Sequence, residues 1–90
     1  MNEYNFGVLS RLIDAIDEFQ KGDIELDDMQ ARLQSALMLY ETAADAAWHA
    51  LRLAEADIEE IRFTMLLDEQ RPAAVFRLDD LRESLLDVLR

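Results

Sequence analysis

Residues 38–48 read Met-Leu-Tyr-Glu-Thr-Ala-Ala-Asp-Ala-Ala-Trp and sit in the middle of a run from Asp23 to Arg71 that holds neither Gly nor Pro. Whether the chain turns there decides the fold. On both sides the apolar residues keep a helical rhythm: Met29, Leu33, Ala36, Leu37, Tyr40, Ala44, Ala47, Trp48, Leu51, Ala54, Ile58, Ile61 and Met65 fall on one face at 100° per residue. The spacing lengthens only between Tyr40 and Ala44, a stutter that locally unwinds coiled-coil-like packing. With no breaker in it, the run predicts one continuous helix over about residues 25–69. That helix would be about 67 Å long, against a diameter of about 30 Å for a compact chain of this size. A compact monomer cannot contain it. The alternative rests on Thr42, which with Asp45 three residues later imitates a capping box and would start a new helix after a turn at Tyr40 and Glu41, giving a four-helix bundle.

Outward from this run, Phe6, Leu9, Leu12, Ile13, Ile16 and Phe19 form the stripe of a first helix over about residues 5–20, with Asn5 as its cap. Gly22 then fits the left-handed position that ends a helix. The second helix opens near Glu25, where Ile24 and Met29 have staple spacing and Asp27 and Asp28 favour the positive end of the helix dipole. Pro72 fits the first position of a third helix over about residues 72–89, striped by Val75, Leu78, Leu81, Leu85, Val88 and Leu89. A short echo between Ile24–Gln30 and Phe76–Arg82 suggests that this helix restarts around Arg77 to Asp79. The expected fold is all-α: a single domain over 1–90, a three-helix antiparallel arrangement built around one long central helix.

Twenty Asp and Glu against nine Lys and Arg give a net charge of -11, which repels phosphate backbones and anionic headgroups. Nucleic acid and membrane surfaces are therefore not expected partners. There is no Cys, hence no disulfide and no thiolate metal site, in keeping with a reducing compartment. The first residues lack a basic stretch followed by an apolar one, and no stretch approaches the roughly 20 apolar residues of a membrane span. A cytoplasmic protein is expected.

No residue set along the chain forms a catalytic or metal-binding constellation. His49 is the only histidine, and nothing pairs with it in the Glu-x-x-His manner of di-iron bundles. The run Asp23, Glu25, Asp27, Asp28 imitates the start of a calcium loop, but Asp28 stands where Gly is needed and Gln34 where a bidentate Glu is needed. Ser10, Ser35 and Ser84 lack the Gly-rich setting of a nucleophile elbow. The expectation is a protein that is not an enzyme and uses no cofactor or metal.

The apolar residues that leave the main stripe point instead to association. Met38 and Leu39 do so in the first half of the central run, Leu53, Phe63 and Leu67 in the second, and Trp48 is of the type enriched at interface hot spots. On a continuous helix Phe63 and Leu67 lie one turn apart on a single face. A helix apolar on more than one side must be covered on more than one side, and a second copy of the chain is the simplest cover. A homodimer is expected, with Met38, Leu39, Trp48, Leu53, Phe63 and Leu67 at its interface.

Residues 12–37 also carry a pattern: Leu12-Ile13 running to Phe19, then Gly22-x-Ile24, then an acidic helix start leading to Met29 and Arg32. It resembles small helical bacterial immunity proteins of the colicin-immunity kind, with Met29 in place of their usual aromatic residue. The resemblance implies an acidic protein that binds and blocks a basic toxin domain. On that reading Asp23, Glu25, Asp27 and Asp28, the densest acidic patch, contact the partner, and the net charge steers its approach. The alternative is a structural or assembly protein whose only partner is itself.

Overall fold

The long run is divided. In the computed structural model of the chain, which describes residues 1–42 and 45–90, α-helices span Glu3–Lys21 (α1), Leu26–Leu39 (α2), Ala46–Thr64 (α3) and Leu67–Leu89 (α4). The three-helix arrangement expected from the missing breakers is thus replaced by four helices. The longest dimension of the molecule is 39 Å, which leaves no room for a helix of about 67 Å. Ala44, placed on the core stripe by the sequence, lies outside the described residues, and with it the far side of the stutter.

The first division is built from side chains that no breaker residue announces. Tyr40 ends α2 in an extended conformation, and Asp45, also extended, caps α3 by accepting from the Trp48 N–H at 2.8 Å. The cap is therefore Asp45, not Thr42. Thr42 is occupied elsewhere: its hydroxyl accepts from Asn5 Nδ2 at 2.8 Å, while Asn5 Oδ1 accepts from the Glu41 N–H at 2.9 Å. Asn5 is a buried brace rather than a helix cap, and α1 starts earlier, on Asn2, whose Oδ1 accepts from the Asn5 N–H at 2.7 Å.

The second division, which the sequence reading places at residues 70–71 ahead of Pro72, lies instead at Met65 and Leu66. Both residues are extended, and α4 begins at Leu67, so Pro72 lies inside the helix instead of opening it. Proline there forgoes one backbone bond near the N-terminal end. α4 then runs unbroken to Leu89, with no restart at Arg77 to Asp79. At the other junction the reading holds: Gly22 ends α1 at φ 88°, in the left-handed region where a Cβ is unfavourable, and Glu25 precedes α2 with no side-chain capping bond.

Short connections make chain neighbours pack side by side. α2 lies against α1 and α3, and α4 closes the ring by packing on α3 and α1. The stripe residues Met29, Leu33, Ala36, Tyr40, Ala47, Leu51, Ala54 and Ile58 are buried as the periodicity requires, but they belong to two helices that meet in one core with Leu9, Ile16, Phe19, Leu78, Leu81 and Leu85. Phe6, assigned to the first stripe, is exposed. Arg77 with Asp57 at 2.6 Å and Arg82 with Asp17 at 2.8 Å fasten α4 to its two neighbours. Among the described residues no helix is long and apolar enough to cross a membrane.

Candidate interaction surface

The turn between α3 and α4 holds its largest apolar side chains out to solvent. Phe63 is 84% exposed, Leu66 70% and Leu67 85%. Their backbone is nevertheless fixed. Gln70 Nε2 donates to the carbonyls of Met65 at 3.1 Å and Arg62 at 3.3 Å, which satisfies acceptors that the end of α3 leaves open. The Leu66 carbonyl accepts the Glu69 and Gln70 N–H groups at 2.9 and 3.2 Å, and Asp68 and Glu69 sit in the first turn of α4, where the dipole favours them. Phe63 and Leu67 therefore do not share one helical face. They flank a two-residue turn on two different helices.

The turn between α1 and α2 lies at this same end of the bundle. Arg71 Nη2 donates to the carbonyls of Phe19 at 2.6 Å and Ile24 at 3.2 Å, and its guanidinium lies 4.3 Å from the centre of the Phe19 ring. One arginine of α4 thus ties down the α1–α2 junction. A second tie joins α2 to the end of α3: buried Gln30 donates to Glu59 and, at 3.4 Å, to Glu55, and accepts from Arg62. Since a buried amide must satisfy both its donor and its acceptor, this network fixes how α2 and α3 pair.

These ties bring together two groups of residues that are far apart in sequence. Asp23, Glu25, Asp27 and Asp28 are all exposed around the α1–α2 turn, at the end that carries Phe63, Leu66 and Leu67. Little competes for their charge. Glu25 stands 4.0 Å from Arg71 with its side chain 82% exposed, a pair worth little in water. Asp27 Oδ1 accepts the Asp28 N–H at 2.9 Å, a local bond that leaves its charge uncompensated.

The other sequence-predicted residues are not brought to this end. Met38 and Leu39 are exposed at the end of α2, beside the connection that Asn5 braces. Trp48 is half-buried against the core, with the Arg52 guanidinium 5.6 Å from its ring centre and the His49 ring edge-on to it at 5.3 Å. Leu53 is exposed midway along α3. Sequence reasoning did not single out Leu66, nor Phe76, which is exposed on α4. Apolar periodicity gives no signal for Leu66; the sequence shows only that Asp68-Glu69 follows it, as a helix start would require.

Among the described residues no cluster of three or more His, Cys, Asp or Glu is placed to hold a metal ion. Among the described residues the strongly shifted group is Tyr40, whose hydroxyl is pushed up to about 12 by burial first, then by its hydrogen bond to Asp45 at 2.6 Å and by the charge of that carboxylate. It belongs to the brace of the connection after α2. The chain matches no protein family, no curated protein and no solved structure.

Proposed function

We propose that the chain is a non-enzymatic protein–protein interaction module that uses the α1–α2 and α3–α4 turns together to bind a basic partner with an apolar cleft. The observation that carries this reading is the exposure of Phe63, Leu66 and Leu67 on a fixed backbone, beside Asp23, Glu25, Asp27 and Asp28. Large apolar side chains exposed together mark association sites more often than chance surface. Held on a braced turn, they lose little conformational freedom on binding. The carboxylates raise the rate of encounter with a basic surface, while the buried anchors supply most of the affinity. An acidic immunity-type protein that neutralises a basic toxin domain is the most concrete form of this proposal, and the pattern at residues 12–37 supports it.

The test is capture of a basic protein by the immobilised chain at low and high ionic strength. The wild-type chain is expected to retain a partner whose association rate falls with salt. The double variant Leu66→Asp, Leu67→Asp should lose it, and Asp27→Asn with Asp28→Asn should slow association. Retention that ignores all of these substitutions would remove the proposed surface.

A second reading, a homodimer through the outer face of α3, is favoured by one observation. His49, Leu53, Ala56, Glu60 and Phe63 recur there at alternating spacings of four and three residues, and all are exposed. That is the heptad spacing of a helix pair, with Leu53, Ala56 and Phe63 its apolar members. Light scattering separates the two readings, because Leu53→Asp should dissociate such a dimer without affecting capture through Leu66 and Leu67.

A further inference from the structure

We propose that the groove between α1 and α2 binds a small anionic amphiphile, with an alkyl chain on its floor and a carboxylate at its arginines. The groove is open to solvent and offers about 340 Å³, at the lower end of the range for small-molecule sites. Val8, Leu12, Ala15 and Ala36 form its apolar floor, and Arg11 and Arg32 stand on its walls, one from each helix. In a chain of net charge -11, no Asp or Glu lines it. This local reversal of sign is what selects an anion.

The two arginines differ in what they already hold. Arg32 Nη1 is 3.2 Å from Glu18, in a pair with both side chains about half exposed. Arg11 makes no ion pair among the described residues. Its guanidinium lies over Gly7, where an added Cβ would stand 3.2 Å from Nη1. Glycine inside a helix weakens it, and here its effect is to give an unpaired guanidinium room beside the groove. Arginine offers a carboxylate two parallel N–H donors, a geometry that lysine lacks.

The groove runs about 10 Å along α1 from Val8 to Ala15 and about 12 Å along α2 from Ala31 to Leu39, and its volume suits a small molecule. A flexible chain gains from each methylene it removes from water. The site is separate from the turns that carry the proposed protein-binding surface, so either can fail alone.

Sodium decanoate, kept below micelle formation, is the probe, with 1-decanol as its neutral counterpart and calorimetry and amide chemical shifts as readouts. Decanoate is expected to bind one per chain, at least tenfold tighter than decanol, with the largest shifts at Val8, Leu12, Ala15 and Ala36. Arg11→Gln should abolish the preference for decanoate. Ala31→Leu, a groove-filling change at an exposed helical position, should block both ligands while the circular dichroism stays native. Phe76→Asp should change nothing, since it removes only a competing apolar surface. Equal binding of decanol, an unchanged decanoate affinity in Arg11→Gln, shifts centred on Phe76 or Leu67, or no binding at all would each overturn the proposal.

Discussion

The side-chain amide of Asn5 donates to the hydroxyl of Thr42 at 2.8 Å, across 37 positions of sequence. With its carbonyl oxygen accepting the Glu41 N–H, it takes both hydrogen-bonding roles of a backbone segment that has left α2 and not yet entered α3. Asn5 is 1% exposed, while its partners Glu41 and Thr42 lie at the surface. A buried side chain on α1 thereby stabilises a break in a stretch of sequence that contains no residue disposed to break.

Replacing Asn5 by Leu leaves the Glu41 N–H without its partner. We expect a loss of about 1–3 kcal/mol, read as a lower urea midpoint at unchanged slope. In a chain of this length each 1 kcal/mol corresponds to a fall in Tm of about 4–8 °C. An unchanged midpoint would mean that the connection does not depend on this brace.

Tyr40 gives the same connection a dependence on pH. Its hydroxyl ionises at about 12 in the folded chain against 10.0 when unperturbed, because burial, the bond to Asp45 and the charge of Asp45 all disfavour the phenolate. The folded pKa lies above the unfolded one, so the contribution is fully present below pH 10 and is lost as pH rises from 10 toward 12. Its size is on the order of 2–3 kcal/mol. Denaturation at pH 9 and pH 11 should show this loss, and Tyr40→Phe should reduce the difference between the two. A Tyr4→Phe background isolates the Tyr40 absorbance change.

Arg71 should matter more than its position on the first turns of α4 suggests. Arg71→Ala removes two bonds to the carbonyls of Phe19 and Ile24 and a stacked guanidinium over Phe19. We expect a cost of about 1–3 kcal/mol, with faster amide hydrogen exchange at Gly22 and Asp23. Arg71→Lys should recover little, because an ammonium cannot reproduce the planar fork.

Leu66→Asp with Leu67→Asp should do the opposite: stability within about 0.5 kcal/mol of wild type, since both side chains are already in water, together with loss of partner capture. A large drop in stability would show that these leucines serve the fold instead.

The helical class, the Gly22 junction and the identity of most core residues are legible in the sequence because all three follow from periodicity and from one residue with a positive φ. The break after α2 is not, because the apolar rhythm passes through it: Tyr40, just past the end of α2, and Ala47, in α3, are both buried. Asp45 was visible as half of a capping box, yet its role as cap with both oxygens engaged, one by Trp48 and one by Tyr40, depends on the fold. The acidic patch at Asp23 to Asp28 and the apolar pair Phe63 and Leu67 were each legible. Their meeting at one end was not, since it rests on Arg71, whose bonds close when α4 lies on α1, and on the bond between Gln30 and Arg62, which closes when α2 lies beside α3.

That meeting has a direct measure. The chain has no cysteine, so spin labels placed at Asp28→Cys and Glu60→Cys report one distance between the acidic turn and the apolar corner. The hydrogen bond between Gln30 and Arg62 spans 32 positions of sequence, and a continuous helix would hold residues so separated about 48 Å apart. Side-by-side helices lie 8–10 Å apart between axes, so with the reach of the labels we predict a pulsed-dipolar distance below roughly 25 Å. A distribution centred near 48 Å would contradict both the bundle and the surface assembled at its end.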